Sequence, residues 1–345
     1  MKQNKLREQL AEAFIASLQE DKLPWQAMWN QSRPENALTG RNYRGINTFW
    51  LSLVSEMKGY DDNRWCTFKQ AESKGWHVRA KEKATHIEYW RLYDKKTKRY
   101  IEQDEAKRII KSDPDRERDI ILSCRCYAVF NANQIEGIPP KEHTSTVDIE
   151  EVRSKRDVLL SNMGLKFKEG GTQAFYRPSE DSITMPPEKT FIDTYGYMST
   201  FLHEAGHASG HASRLNRDLS GSFGSENYAR EELRAEIASA FTSQALGFGK
   251  EGNHLSQRLD NHKAYVQSWI EAIQSNGPQE LFSAIKDAEK ISDYLLEKGE
   301  FLKDLELAAS KKDQKLPLDL VLGDAKKRSG SRRASRSPQA DRILS

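Results

Sequence analysis

The 345-residue sequence contains only three cysteines, Cys66, Cys124 and Cys126, which are too few to build a disulfide framework. It has no run of about 18 apolar residues, so no segment is predicted to span a bilayer. Its first 22 residues contain no continuous apolar stretch of the kind that secretory signal peptides carry. These absences argue against a disulfide-stabilised secreted domain or a membrane protein, and they predict a cytoplasmic location.

A large net charge is also lacking, since the whole chain carries a formal charge of +3, but the charges are distributed unevenly. Residues 1–147 contain 26 Lys and Arg against 21 Asp and Glu, which gives +5. The corresponding numbers are 21 and 29 in residues 148–325 and 7 and 1 in residues 326–345, which give −8 and +6. This division favours different partners for different parts of the chain. An excess of five charges is also compatible with ordinary surface scatter, so charge alone identifies no partner.

The length of the chain favours two domains rather than one core, and residues 1–143 are predicted to form the first. Apolar residues recur at helical spacing over residues 4–20. Residues 86–93 and 124–131 are rich in aromatic and β-branched side chains, a composition typical of strands. Residues 95–119 between them are dominated by charge and are predicted to form a solvated excursion.

The second predicted domain, residues 144–310, is mainly helical, and residues 326–345 are predicted to be a disordered basic tail. The proline-containing segment 135–148 is interpreted as the linker between the domains. Two short strands are expected within residues 174–187. Helices are expected near residues 149–162, 195–211, 228–246, 260–275 and 279–298.

The strongest chemical signal is the motif HEAGH at residues 203–207. His203 and His207 are four residues apart, so on a helix their imidazoles project from one face and can bind one metal ion. Glu204 lies beside them as a candidate general base for an attacking water. A random chain of this composition would contain such a pattern only about 0.016 times. The surrounding sequence is apolar, as a buried active-site helix should be, which disfavours a pair of solvated surface histidines.

A tetrahedral zinc site needs a third protein ligand besides the two histidines. A third histidine six residues after His207 is absent, because Ser213 stands there. The segment EELRAE at residues 231–236 offers Glu232 and Glu236 on one helix face. We predict that Glu232 is the third ligand and that Glu236 holds the other ring nitrogen of a ligand histidine. The alternative is an acidic pair on a helix surface, and Glu231 is expected to be solvated.

Further residues near the motif have less certain roles. His211, one turn beyond His207, is predicted to support the site from outside the ligand set. Ser182–Met185 is predicted to be an edge strand along which a peptide substrate could pair, although a purely structural hairpin fits equally well. Candidates to stabilise an oxyanion, among which the sequence does not choose, are Tyr195, Tyr197, Tyr228 and Tyr265.

The first domain carries a pattern typical of single-stranded nucleic-acid binding. Residues 23–51 interleave aromatic side chains with arginine and asparagine, and basic residues follow between Arg79 and Lys83. Proteins that bind single strands combine aromatic rings that stack on bases with basic groups that contact phosphates. The candidate DNA-binding residues are Trp25, Trp29, Arg41, Tyr43, Arg44, Asn47, Arg79, Lys81 and Lys83. For the tryptophans the alternative is burial in a core.

Six segments, in this order, resemble the ArdC-type antirestriction proteins of plasmids and phages. They are LPWQAMW, RPENALTGRNYRGIN, VFNANQIEG, FLHEAGHASGHASRLNR, YAREELRAEIASAF and NHKAYVQSWI. The resemblance implies an α+β protein in which a small mixed α/β domain that binds single-stranded DNA precedes a mainly helical, zincin-like metallopeptidase domain. It also implies one Zn²⁺ per chain, held by His203, His207 and the acidic ligand, and protection of incoming DNA from restriction in a bacterial host cell.

The sequence therefore predicts a protein that binds single-stranded DNA and carries a zinc-dependent metallopeptidase site, with a DNA-bound protein as its candidate substrate. The alternative is a DNA-binding shield, or an accessory protein of a primase or of conjugation, whose zinc site is structural or dormant. Glu204 favours the first hypothesis, because a purely structural site has no use for a general base. The oligomeric state is not predicted.

Overall fold

The computed structural model describes residues 3–20, 32–141, 149–221, 225–247 and, except for 268, 272 and 276, residues 266–301. Its helices include α1 (Gln3–Gln19), α2 (Ile46–Lys58), α3 (Phe68–Ser73), α4 (Gln103–Ser112), α5 (Ile149–Met163), α6 (Thr194–Ala208), α7 (Glu226–Ala245) and α8 (Gln279–Lys298). Its strands are β1 (Glu35–Asn36), β2 (Arg64–Cys66), β3 (His77–Val78), β4 (Thr85–Asp94), β5 (Arg99–Ile101), β6 (Ile120–Asn131), β7 (Ile135–Glu136), β8 (Lys166–Glu169), β9 (Phe175–Arg177) and β10 (Ser182–Met185). The fold is α+β, as predicted. Trp25, Trp29, Tyr265 and the basic tail lie outside the described residues.

The first part of the chain is organised around a five-stranded sheet with the order β1-β2-β6-β4-β5. β1 and β2 are parallel, and the other neighbours are antiparallel. The long strands β4 and β6 match the two segments predicted as strands. Ile87 and Val129, on one face of this pair, are buried with Leu51 and Val54 of α2. Helix α2 therefore covers one end of that face.

The opposite face of the same strands contacts α1. Arg7 of α1 forms a two-pronged ion pair with Glu88, with distances of 2.7 and 2.9 Å. The indole nitrogen of Trp90 donates a further hydrogen bond of 2.8 Å to Glu88. Because Glu88 is buried, these donors replace the water that its carboxylate gives up on folding. The ion pair thus fixes the opening helix against the sheet.

The charged residues between β4 and β6 form β5, α4 and a 3₁₀ turn over Pro114–Asp119, and most of their side chains are exposed, as expected. Arg116 anchors this excursion by pairing with Asp94 at 2.7 Å. Hydrogen bonds from Thr97 and Arg116 hold the pKa of Asp94 well below its usual range. The excursion is therefore tied to the end of β4 rather than loosely attached.

A second sheet has the order β8-β10-β9. Ser182–Met185 pairs with Lys166–Glu169 in parallel on one side and with Phe175–Arg177 in antiparallel on the other. The prediction that Ser182–Met185 is an edge strand was wrong. The reason is that the chain leaving α5 returns as β8 and occupies the side that the local hairpin leaves open.

The largest buried cluster joins the two ends of the described chain. Phe14 of α1 and Phe49 of α2 belong to the same core as Phe241 of α7 and Ile285 of α8. Residues 1–143 and 144–310 therefore pack against one another through a common core. In the described part of the chain, no helix is both long and apolar enough to cross a membrane.

Candidate functional site

Helix α6 carries the HEAGH motif in its last two turns. The Asp193 side chain caps its beginning by accepting a hydrogen bond of 2.8 Å from the backbone N–H of Gly196. The helix ends at Ala208, three residues before the predicted end. Glycine at 206 brings α6 close to α7, because a Cβ added there would lie only 3.7 Å from Cα of Ala235. This close approach puts the acidic face of α7 beside the histidines.

His203, His207 and Glu232 converge on one point. The Nε2 atoms of the two imidazoles are 3.1 Å apart. Glu232 places its carboxylate oxygens 3.6 Å from Nε2 of His203 and 3.4 Å from Nε2 of His207. Among the described residues, these three form the group of metal-ligating side chains whose donor atoms lie within 4.8 Å of one another. The predicted ligand set is therefore assembled by the fold.

This arrangement fits a small tetrahedral cation. Metal–ligand bonds of about 2.0–2.2 Å at tetrahedral angles place neighbouring donor atoms roughly 3.3–3.6 Å apart. The two Nε2 atoms are 3.1 Å apart, and the distances to Glu232, 3.4 Å from His207 to one oxygen and 3.6 Å from His203 to the other, are close to that range. Two imidazole nitrogens and one carboxylate are also a donor set that zinc sites use.

Glu236 lies behind His203 rather than in front of it. Its carboxylate is 3.0 Å from Nδ1 of His203, on the side of the ring opposite the converging Nε2 atoms. The side chain is fully buried. A carboxylate at Nδ1 fixes the imidazole with Nε2 free to act as a ligand. This is the position that the sequence analysis assigned to Glu236.

Glu231 occupies the equivalent position behind His207, and the prediction that it is solvated was wrong. The residue is 6% exposed, and its carboxylate lies 3.5 Å from Nδ1 of His207. Arg217 pairs with the same carboxylate at 2.6 Å. The chain after α6 folds back and brings Arg217 over this part of α7, which turns a position next to the ligand face into a buried one. Both histidines thus have a carboxylate at Nδ1.

Arg217 is a residue that the sequence analysis missed. Its guanidinium donates to the backbone carbonyl of Gly206 at 2.7 Å and to Oγ of Ser209 at 2.8 Å, besides pairing with Glu231. The last carbonyls of a helix lack intrahelical partners, and a cation there is favoured. An arginine shortly after a predicted helix end could have signalled this contact.

The acidic surroundings shift the pKa values of the cluster. Burial alone would lower the pKa of His207, but hydrogen bonds to Glu231 and Glu232 outweigh it and raise the pKa well above its ordinary value. Burial would raise the pKa of Glu232, but hydrogen bonds from His203 and His207 hold it far below its usual range. Both shifts have the same cause, the hydrogen bonds that pair the imidazoles with the carboxylates.

Glu204 and the other residues predicted for this site lie in different environments. Glu204 is buried in α6 between the two histidines in sequence. His211 instead contacts Oγ of Ser213 through Nδ1 at 2.8 Å, outside the converging group. The hydroxyl of Tyr197 accepts a hydrogen bond of 2.8 Å from Arg156. Tyr195 and Tyr228 are half-buried.

The predicted DNA-binding residues that the structure describes fall into three groups. Arg41, Arg79, Lys81 and Lys83 are exposed, and Arg79 contacts Glu82 and the backbone carbonyl of Asn133. Tyr43 and Asn47 are half-buried and used internally. The Tyr43 ring packs against the cluster beneath α2, where burial raises the pKa of its hydroxyl to about 12. Asn47 exchanges hydrogen bonds of 2.7 and 2.9 Å with the backbone of Glu88.

Arg44 has a third kind of environment, because it reaches from the sheet region to α8. Its guanidinium lies 3.0 Å from Glu289 and also pairs with Asp293. Arg33 contacts the same Glu289 at 2.7 Å, and the backbone N–H of Gly45 donates to it at 3.0 Å. These contacts form a polar seam between the predicted domains.

Comparison with known proteins agrees with this architecture. The model of the N-terminal domain of the anti-restriction factor ArdC matches residues 4–130, and a model of a zincin-like metallopeptidase matches residues 154–287. Crystal structures of the antirestriction protein ArdC from plasmid R388, one metal-free and one bound to Mn(II), superpose with TM-scores of 0.63 and 0.64. Both are 30% identical in sequence, and each superposition covers 85% of this chain and 97% of the ArdC chain. The chain belongs to the ArdC antirestriction family.

Other relatives of this ArdC-family chain are longer or of similar length. Two Escherichia coli proteins named DNA primase TraC are each 40% identical over 298 residues, which is 84% of this chain. The chain spans only 20% and 27% of their lengths. An uncharacterized protein of Sinorhizobium fredii, y4eC, is 32% identical over 83% of this chain and 89% of its own length.

Proposed function

We propose that this ArdC-family chain binds single-stranded DNA through its first part and cleaves a DNA-bound protein with a zinc-dependent peptidase site in its second part. The observation that supports the peptidase most directly is the convergence of His203, His207 and Glu232 at 3.1–3.6 Å beside Glu204. The family relation to an antirestriction protein gives this chemistry a setting in the bacterial cytoplasm, where incoming DNA meets restriction enzymes.

His203, His207 and Glu232 would hold one Zn²⁺ per chain. When bound, such an ion polarises a carbonyl and lowers the pKa of a water molecule. Glu204 then acts as the general base, which takes a proton from the attacking water and passes it to the departing amine. Glu236 and Glu231 hold the two imidazoles by their Nδ1 atoms, so that both Nε2 atoms keep their orientation.

The acidic balance of residues 148–325, at −8, supports a polypeptide rather than DNA as the substrate of this site. DNA would instead be held by the first part of the chain, where the exposed basic residues include Arg41, Arg79, Lys81 and Lys83. Holding a strand that also carries a target protein raises the local concentration of that target at the peptidase site.

The experiment is cleavage of a single-stranded-DNA-binding test protein by the zinc-loaded full chain. We expect the variant Glu204→Gln to retain zinc and to lose cleavage, because the amide keeps the shape and loses the base. Glu226→Gln, an exposed carboxylate at the start of α7, is the matched control and should cleave normally. Equal cleavage by Glu204→Gln and the unmodified chain would contradict the mechanism.

A second arm varies the length of the DNA. Cleavage should be faster on a strand long enough for both proteins than on one that holds a single protein, because only the longer strand brings them together. Equal rates on both strands, and without DNA, would contradict the tethering of the substrate.

The second candidate function is a DNA-binding accessory protein whose zinc site is dormant. The observation that favours it is the 40% identity to proteins named DNA primase TraC. The chain spans about a quarter or less of those proteins, so their priming is not carried over. Zinc binding and DNA binding without cleavage of any DNA-bound test protein would favour this candidate.

A further inference from the structure

Tyrosines and arginines from three strands share one open face of the five-stranded sheet. The register pairs Tyr89 with Arg125 and Ile87 with Tyr127. It also pairs Tyr93 with Tyr100 of β5. Side chains directly opposite one another in an antiparallel pair lie on the same face, and so do alternate residues along a strand. The Tyr–Arg face consists of Tyr89, Arg91, Tyr93, Tyr100, Arg125 and Tyr127.

This face is covered at one end and open along the rest. Ile87 and Val129, which precede Tyr89 and follow Tyr127 on the same face, are buried beneath α2. Tyr89 is 39% exposed and Tyr127 is 37% exposed, although both lie within strands. Arg125 is also exposed. The tyrosine rings thus emerge where the helix ends its cover, which leaves large aromatic surfaces in contact with water.

The rings are held in fixed orientations by one another. Tyr89 and Tyr127 meet edge to face with ring centroids 5.7 Å apart. Tyr93 and Tyr100 do so at 5.2 Å. Both geometries are favourable for aromatic pairs. A stacking platform built on paired strands loses little freedom when a base docks on it, which favours binding.

The two arginines of this face, Arg91 and Arg125, both contact the ring of Tyr100. The guanidinium carbon of Arg91 lies 4.7 Å from the centroid of the Tyr100 ring, and that of Arg125 lies 5.0 Å from it. Contact with the ring face stretches these side chains along the sheet while leaving N–H groups to bind an anion. The ion pair of Arg91 with Glu102 is long, at 3.7 Å, and the Glu102 side chain is 86% exposed.

The charge of the face matches a polyanion. Among the described residues of β4, β5 and β6 that point to this side, none is acidic. Glu88 and Asp94 belong to the opposite side, where each carboxylate pairs with an arginine, Arg7 and Arg116 respectively. Aromatic rings interleaved with arginine are the combination that binds unpaired bases and their phosphates.

The geometry points to the Tyr–Arg face as the surface that holds single-stranded DNA, with Tyr89 and Tyr127 stacking on bases and Arg91 and Arg125 contacting phosphates. This inference rests on the proposed DNA-binding function and assigns it to residues outside the loop over residues 41–47. Duplex DNA fits poorly, because its bases are stacked on one another and offer no free faces to the tyrosines.

The test measures binding of the full chain to a fluorescent (dT)20 strand by anisotropy over a range of salt concentrations. We expect Tyr89→Ala/Tyr127→Ala to weaken binding at least about tenfold, because a stacked base contributes enough for roughly five- to hundredfold per ring. Tyr89→Phe/Tyr127→Phe should restore affinity, since the rings remain. Phe68→Ala, which removes an even more exposed aromatic ring elsewhere, is the matched control and should bind normally.

The arginines are tested by the salt dependence. Arg125→Gln should weaken binding and reduce the slope of log affinity against log salt by about 0.7, one phosphate contact on a single strand. Arg99→Gln, an exposed arginine on the opposite side that pairs with Glu105, should leave the slope unchanged.

Several outcomes would overturn the inference in distinguishable ways. If the unmodified chain does not bind (dT)20, the proposed DNA-binding function fails and this site fails with it. If the unmodified chain binds and the tyrosine variants bind equally well, the DNA-binding function stands and the site lies elsewhere on the molecule. Weaker binding by Lys81→Ala/Lys83→Ala would show this. Tighter binding of (rU)20 would reassign the face to RNA, and a dimer that the tyrosine variants dissociate would reassign it to a second copy.

Discussion

The candidate metal centre and the Tyr–Arg face are built in opposite ways. At the metal centre, buried carboxylates and imidazoles satisfy one another at 3.0–3.6 Å between two closely packed helices. On the Tyr–Arg face, the rings are partly exposed, the Tyr89 and Tyr127 rings meet edge to face, and the Arg125 guanidinium lies over the face of the Tyr100 ring. The stability of a buried cluster of charged groups depends on every member. Removing one leaves the others buried with neither a partner nor water. On an exposed surface each side chain contributes to binding independently. Substitutions there should therefore lower the affinity in graded steps, and the affinity should depend on salt.

The largest expected effect is the loss of the metal on removal of a ligand. Glu232→Ala or His207→Ala should abolish stoichiometric zinc binding, because two remaining donors cannot hold the ion. Elemental analysis after dialysis against a weak chelator measures this. Glu226→Ala, on the same helix, should retain one zinc per chain. Full retention by Glu232→Ala would contradict the ligand assignment and with it the contrast between the two sites.

The next effect concerns the seam that joins the two regions. Arg33 is 8% exposed and pairs with the largely buried Glu289 at 2.7 Å. Arg33→Gln should lower the free energy of unfolding by about 3 kcal/mol, because it leaves Glu289 short of a buried partner. Urea unfolding followed by tryptophan fluorescence measures the change. Arg41→Gln, an exposed arginine of the same segment, should cost less than about 0.5 kcal/mol. If Arg33→Gln also lowers the free energy of unfolding by less than about 0.5 kcal/mol, the two regions do not depend on this contact for their stability.

A smaller loss is expected at the carboxylate behind His207. Glu231→Ala should weaken zinc binding about 10- to 100-fold without abolishing it, because partners of a ligand's second nitrogen have effects of that size. Competition with a chelator of known affinity measures it. Glu231→Gln should recover part of the loss, since the amide oxygen can still accept from Nδ1. Complete loss of zinc would instead make Glu231 a ligand.

The two sites should also differ in their response to pH. His207 has a raised pKa in the metal-free chain, so below that pKa an entering cation must displace a proton. Zinc affinity should therefore rise with pH between 6 and 8, by up to about tenfold per pH unit for one displaced proton. Single-strand affinity should stay constant over this range, because the Tyr–Arg face includes no histidine and no carboxylate. Zinc affinity that is flat over the range would contradict the raised pKa of His207.

The smallest effect is expected at Arg44. Its side chain is 61% exposed, so its pairs with Glu289 and Asp293 should contribute at most about 1 kcal/mol to stability. We also expect Arg44→Gln to lower single-strand affinity less than Arg125→Gln does, because two carboxylates already neutralise Arg44. Anisotropy titrations of the two variants under the same salt conditions decide this. A larger loss for Arg44→Gln would place DNA at the seam instead.

Features of the fold and of the candidate site could be predicted from the sequence where the contacting residues lie close together along the chain. They could not be predicted where those residues lie far apart. The histidine pair and the matching face of Glu232 and Glu236 follow from helical periodicity, which is a local property. The burial of Glu231 depends on Arg217, fourteen residues earlier in a loop whose path no periodicity predicts. The central place of Ser182–Met185 depends on a parallel neighbour, which is also a non-local pairing.

The Tyr–Arg face shows the same limit in its strongest form. Tyr89 and Arg125 are opposite one another only because of the register between β4 and β6, across the intervening charged excursion. A shift of one residue would turn every one of these side chains to the other face. The DNA-binding candidates predicted from the sequence lie between Trp25 and Asn47 and between Arg79 and Lys83, because spacing along the chain does not show which strand residues come to lie on one face.

Gly206 lies between the two histidines in sequence and provides no donor atom, yet it limits how far apart the two helices of the candidate metal centre can lie. A Cβ atom added at Gly206 would lie 3.7 Å from Cα of Ala235, so the two helices approach each other to within the space of one methyl group. A methyl group fits that clearance, whereas a branched side chain must push α7 outward and carry Glu232 away from both imidazoles. A series of increasingly large side chains at position 206 should therefore weaken metal binding stepwise, although none of the donor atoms is changed.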